Sequence, residues 1–66
     1  MKIEINGLQS KIHQPLTVDE LISSLNYLNK KIAIEVNGEI IPRSAYSNKI
    51  IVDGDKVEII NAVGGG

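Results

Sequence analysis

Two Asn-Gly dipeptides, Asn6-Gly7 and Asn37-Gly38, constrain this chain more than any other feature. A two-residue type I′ turn needs positive φ at both central positions, and Asn followed by Gly meets that demand best. Asn-Gly between alternating runs is therefore the strongest local signal of a β-hairpin. Before the first pair, Ile3 and Ile5 alternate with Lys2 and Glu4. After it, Leu8, Ser10 and Ile12 alternate with Gln9, Lys11 and His13. A period of two is that of a strand with one inward face. Residues 1 to 13 are predicted to form a hairpin, with His13 a solvated surface imidazole. Around the second pair, Ile32, Ile34 and Val36 make a strand, and Ile40-Ile41 a short apolar run that Pro42 stops.

Between the hairpins the period changes. Pro15 ends the strand, and Thr17-Val18-Asp19-Glu20 spells a capping box, with Leu16 and Leu21 placed as its hydrophobic staple. Val18, Leu21, Ile22, Leu25 and Leu28 fall on one apolar stripe, which predicts an amphipathic helix from about Val18 to Leu28. Asn29, Lys30 and Lys31 suit its C-terminus.

Beyond Pro42, the segment from Arg43 to Lys49 is polar apart from Ala45 and Tyr46. It reads as a loop or a single helical turn with Tyr46 folded against the body. Ile50, Ile51 and Val52 lead into the turn Asp53-Gly54-Asp55, and residues 57 to 63 form the last strand. The order predicts one mixed sheet curled over one helix, with the C-terminal strand in its middle. Ile3, Ile5, Ile34, Val57 and Ile59 should share a core with the helical stripe. Alternation then turns Glu58, Ile60 and Ala62 outward. Ile60 becomes an aliphatic anchor for a docking partner beside the chain's end.

Composition limits what such a body can do. Sixty-six residues make one small domain, of the size that buries only about 60% of the surface exposed by its unfolded chain. There is no Phe and no Trp, so the core must come from Ile, Leu and Val, which suits a sheet. With no Cys and a single His, no disulfide, thiolate site or metal cluster is expected. The net charge is −1 with acidic and basic residues interspersed, which argues against a nucleic-acid surface. No apolar run is long enough for a membrane span, and Met1-Lys2-Ile3-Glu4 opens no signal peptide. A soluble, cytoplasmic protein, monomeric when free, is the expectation.

The chain closes on Ala62-Val63-Gly64-Gly65-Gly66. Glycines add nothing to a core and resist ordering, but their bare backbone can enter a narrow channel. We therefore divide the chain into a domain, residues 1–63, and a flexible tail, residues 64–66. From Ala62 to Gly66 the tail can reach about 15 Å. Its one reactive group is the terminal carboxylate, an anion at neutral pH and a poor electrophile until activated. No Ser/His/Asp or Cys/His grouping accompanies it.

Val36-Asn37-Gly38 leading to Ile41-Pro42-Arg43, the segment Val52-Asp53-Gly54-Asp55-Lys56-Val57-Glu58, and the terminal Gly65-Gly66 occur in an order and spacing that resemble the ThiS-type sulfur carriers of thiamine biosynthesis. The similarity covers essentially the whole chain. It implies an α+β fold, the ubiquitin-like β-grasp, with a mixed four- to five-stranded sheet curled over one main helix and a flexible glycine tail. It also implies a co-substrate rather than an enzyme. A ThiF-type adenylyltransferase would use ATP and Mg²⁺ to adenylate the Gly66 carboxylate, with Gly65 and Gly64 recognised as its tail. Sulfur from a cysteine-derived persulfide would then leave a thiocarboxylate for a ThiG-type thiazole synthase, and no cofactor would be bound by the chain itself. Three alternatives stay open at this point. They are a MoaD-type subunit of molybdopterin synthase, a ubiquitin-like modifier joined through Gly66 to lysine, and an interaction module with an inert tail.

Overall fold

Both Asn-Gly turns form, and each closes a two-residue hairpin. Asn6 and Gly7 have φ of 50° and 83°, and Asn37 and Gly38 have 53° and 85°, the positive values that a type I′ turn demands. The computed structural model describes residues 1–27 and 30–61. The first turn joins β1 (Lys2–Ile5) to β2 (Leu8–Lys11), with Ile5 opposite Leu8. The second joins β4 (Ile32–Val36) to β5 (Glu39–Ile41), with Val36 opposite Glu39. Between them lie the two-residue strand β3 (Leu16–Thr17) and the helix α1 (Val18–Ser24). A short 3-10 helix (Arg43–Ala45), strand β6 (Ile50–Ile51) and strand β7 (Lys56–Asn61) complete the described chain.

Five strands make one sheet in the order β2-β1-β7-β4-β5. The last strand is therefore central, as the sequence predicts. It runs parallel to β1 and antiparallel to β4. The small β3-β6 pair, Leu16 opposite Ile51 and Thr17 opposite Ile50, forms a second sheet. Such short elements carry too few residues for any alternation to be read.

The sheet's inner face and α1 enclose one core: Ile3, Ile32, Ile34, Val36, Val57 and Ile59 from the strands meet Val18, Leu21 and Ile22 from the helix, with Ile51 and Tyr46. Ile5, expected inside, packs at the rim and is half-buried. Burying these side chains supplies most of the stability, at roughly 1.5 to 3 kcal/mol for each fully covered aliphatic.

The helix starts where its capping box places it. Thr17 Oγ1 accepts from the Glu20 N–H at 3.0 Å, and the Thr17 N–H donates to Glu20 Oε1 at 2.8 Å. Two further amides of the first turn would otherwise lack partners. The Val18 N–H donates to the Lys49 carbonyl at 2.9 Å and the Asp19 N–H to the Tyr46 carbonyl at 3.0 Å. The polar segment after Pro42 is thus a plug for the start of the helix, and Tyr46 is its buried pin.

The helix ends earlier than the stripe predicts. Asn26 adopts φ of 64°, the Asn26 N–H donates to the Ser23 carbonyl, and the Tyr27 N–H donates to the Ile22 carbonyl at 2.8 Å. This pair of bonds around a left-handed residue is a Schellman motif, and Tyr27 packs against the core just beyond it. The left-handed cap is Asn26 rather than Asn29. Leu25, expected in the core, becomes the C-cap residue and is 37% exposed. Leu28 and Asn29 lie outside the described residues.

Candidate functional site at the end of the central strand

Everything known of the site is set by how β7 is held. At its start it has support on both sides: Glu4 and Ile5 of β1 lie beside Lys56 and Val57, while Val36 of β4 pairs with Val57. The two motif segments meet here. Asn37 Oδ1 accepts from the Lys56 N–H at 3.0 Å, and Asn37 Nδ2 donates to Asp55 Oδ1 at 3.0 Å. Asp55 Oδ2 in turn accepts from the Val52 N–H at 2.9 Å. Residues that looked like a family signature in the sequence are therefore the fastening of one turn to the root of the central strand.

Farther along, β1 runs out. Its pairing with β7 stops at Ile5 opposite Val57, whereas β4 continues beside β7 as far as Ile32 opposite Asn61. Asn6 takes the place of the missing strand. Its backbone N–H donates to the Val57 carbonyl at 2.9 Å. Its side-chain Oδ1 accepts from the Ile59 N–H at 2.8 Å, and Nδ2 donates to the Ile59 carbonyl at 3.4 Å. Sequence reasoning took Asn6 as a turn residue only; its partner lies 53 positions away, and no local pattern announces such a contact.

The outer face of β7 carries Glu58 and Ile60, two of the three residues that alternation names for docking. Val57 and Ile59 point into the core, Glu58 is exposed, and Ile60 is 46% exposed. The Arg43 to Lys49 segment packs at the start of α1 through the bonds from Val18 and Asp19. Cross-strand register adds three neighbours that the sequence reading did not include. Ala33 lies opposite Ile60, Glu35 lies opposite Glu58, and Ile40 lies opposite Glu35. Ile40 is 72% exposed. The run Ile40-Ile41 was the available signal, since adjacent strand residues must face opposite ways. Two carboxylates placed directly across a strand pair repel, so the face combines apolar points with an acidic centre.

Ala62, Gly64, Gly65 and Gly66, and the boundary between domain and tail, lie outside the described residues. Among the described residues, no group of three or more His, Cys, Asp or Glu is placed to hold a metal ion, and no helix is long and apolar enough to cross a membrane.

One helix laid across a mixed five-stranded sheet with its last strand central is the ubiquitin-like β-grasp arrangement, and this is the class the fold defines. The crystal structure of the thiamine biosynthesis protein ThiS from Geobacter metallireducens superposes with a TM-score of 0.88 at 35% identity, covering all of both chains. The family profile described as ThiS matches residues 2–66, and the chain belongs to the ThiS family. The sulfur carrier protein ThiS of Bacillus subtilis is 34% identical over 97% of this chain and 98% of its own length. A thiazole synthase of Paramagnetospirillum magneticum is 41% identical over the whole chain, which spans only 20% of that longer protein.

Proposed function

We propose that this chain is a sulfur carrier in thiamine biosynthesis, and that the atom which carries the sulfur is the terminal carboxyl carbon of Gly66. The observation that carries the reading is the central, last strand. β7 lies between β1 and β4 in the middle of the sheet, and Ala62 to Gly66 follow Asn61 without an intervening linker in sequence. A central strand that continues in sequence into three terminal glycines is suited to delivering a carboxylate into another protein's active site.

The chemistry then proceeds in the partner. A ThiF-type adenylyltransferase holding ATP and Mg²⁺ lets the Gly66 carboxylate attack the α-phosphate, and pyrophosphate leaves. The terminal sulfur of a cysteine-derived persulfide attacks the acyl-adenylate and displaces AMP. A thiol then cleaves the resulting sulfur–sulfur bond and leaves the thiocarboxylate. A ThiG-type thiazole synthase is the recipient. The thiazole synthase that includes a segment similar to this whole chain supports that pairing, and the thiamine names among the relatives favour this route over the molybdopterin one. In this reading the chain is a co-substrate, working in the cytoplasm where ATP is available. Gly65 and Gly64 form the part of the tail that the enzyme's channel admits.

Docking falls to the outer face of β7. Ile60 is the apolar anchor, Glu58 lies on the same face, and Ala62 is the third residue that alternation in the sequence adds. Glu58 and Glu35 are complemented by a basic partner surface. The test is the intact mass of the chain after incubation with ATP, Mg²⁺, a sulfur source and its activating enzyme. Replacing one carboxylate oxygen by sulfur adds about 16 Da, and a mass that stays unchanged while the enzyme is active contradicts the reading.

A further inference from the structure

The two Asn-Gly turns grip β7 from opposite sides and at different heights. Asn37 holds Lys56 at the strand's start from the β4 side, and Asn6 holds Ile59 from the β1 side. Only Ile60 and Asn61 separate Ile59 from the last five residues of the chain. Beyond Val57, β4 supports one edge of β7, and on the other edge the Asn6 side chain stands where β1 has ended. Without it, the Ile59 N–H and carbonyl on that edge lose their protein partners, and the final turn of strand is held from one side.

We propose that Asn6 is a positioning residue for the Gly66 carboxylate, setting the direction in which β7 delivers the tail. The proposal rests on the carrier reading given above. Once the outer face of β7 is docked, the distance from Asn61 to the enzyme's nucleotide is fixed. Five residues span at most about 17 Å when extended, so where and in which direction Asn61 leaves the sheet bounds the points that the carboxylate can reach. An error of about 1 Å at the reacting atoms can cost on the order of a hundredfold in rate. Asn6 bonds to the backbone of Val57 and Ile59, whose side chains face the core, so the loss falls on turnover within the complex rather than on docking.

The comparison of Asn6→Gly with Asn37→Gly tests this. Glycine keeps the positive φ of either turn while removing the side chain, and Asn37 makes its bonds at the far end of the strand. ATP–pyrophosphate exchange by the activating enzyme, measured against carrier concentration, separates kcat from KM. Asn6→Gly is expected to lower kcat on the order of tenfold with KM within about twofold, and to speed hydrogen exchange at the Ile59 amide. Asn37→Gly should leave kcat unchanged. Wild-type kcat in Asn6→Gly, or an equal loss in Asn37→Gly, overturns the assignment and leaves the carrier reading standing. If the unaltered chain supports no exchange, the carrier reading itself fails and takes this assignment with it.

Discussion

The two faces of the central sheet have the same strands and opposite roles. On the inner face Ile34 is 1% exposed and is flanked across the strands by Ile59 and Ile41. On the outer face, one residue along, Ala33, Glu35, Glu58, Ile60 and Ile40 are left to solvent or partly so. A folding requirement explains the first set, because a 66-residue chain without Phe or Trp has little else from which to build a core. It does not explain Ile60, Ile40 and two opposed carboxylates on the second. The difference teaches that stability accounts for the inner side of the sheet and leaves the outer side free for the encounter proposed above.

Substitutions can break that comparison. Ile34→Ala removes a fully enclosed side chain and is expected to cost about 2 to 5 kcal/mol, much of the stability of so small a domain. A loss under about 1 kcal/mol in denaturant titration would mean that the inner face is not one packed core. Ile60→Asp should weaken binding of the activating enzyme by roughly tenfold while changing unfolding free energy by less than about 1 kcal/mol. Unaltered affinity in a titration of the two proteins would remove the outer face from the account. Leu25→Ala should be smaller still, below about 1 kcal/mol, because Leu25 caps the helix at the surface. A larger loss would restore it to the core where the helical stripe had placed it.

Local chemistry made much of this fold legible before any coordinates. Asn6-Gly7, Asn37-Gly38 and Thr17-Val18-Asp19-Glu20 each name their own geometry, because the residues that bond there are neighbours in sequence. Alternation along β7 placed Val57 and Ile59 inside and Ile60 outside for the same reason. The helix end was misread since Asn26 and Asn29 both suit a left-handed cap, and the stripe through Leu25 and Leu28 favoured the later one. What chose Asn26 is the Schellman pair of backbone bonds, with Tyr27 packed against the core, a local motif that periodicity outweighed. The β3-β6 pair and the clamp from Asn6 to Ile59 were not legible, as their bonds join residues far apart in the chain. Of the site, the outward placement of Ile60 was readable, while Ala33, Glu35 and Ile40 needed the cross-strand register; the tail glycines lie outside the described residues.

The central claim is that the carboxyl carbon of Gly66 is the reactive atom and that the folded body exists to present it. ATP–pyrophosphate exchange with a chain lacking Gly66 tests this most directly, because the deletion leaves every core residue of the domain in place. The shortened chain should support no exchange above background and acquire no sulfur, since its carboxylate falls one residue, about 3.3 to 3.6 Å, short of the α-phosphate. Exchange at the rate of the intact chain, together with the mass gain that marks a thiocarboxylate, would contradict the account.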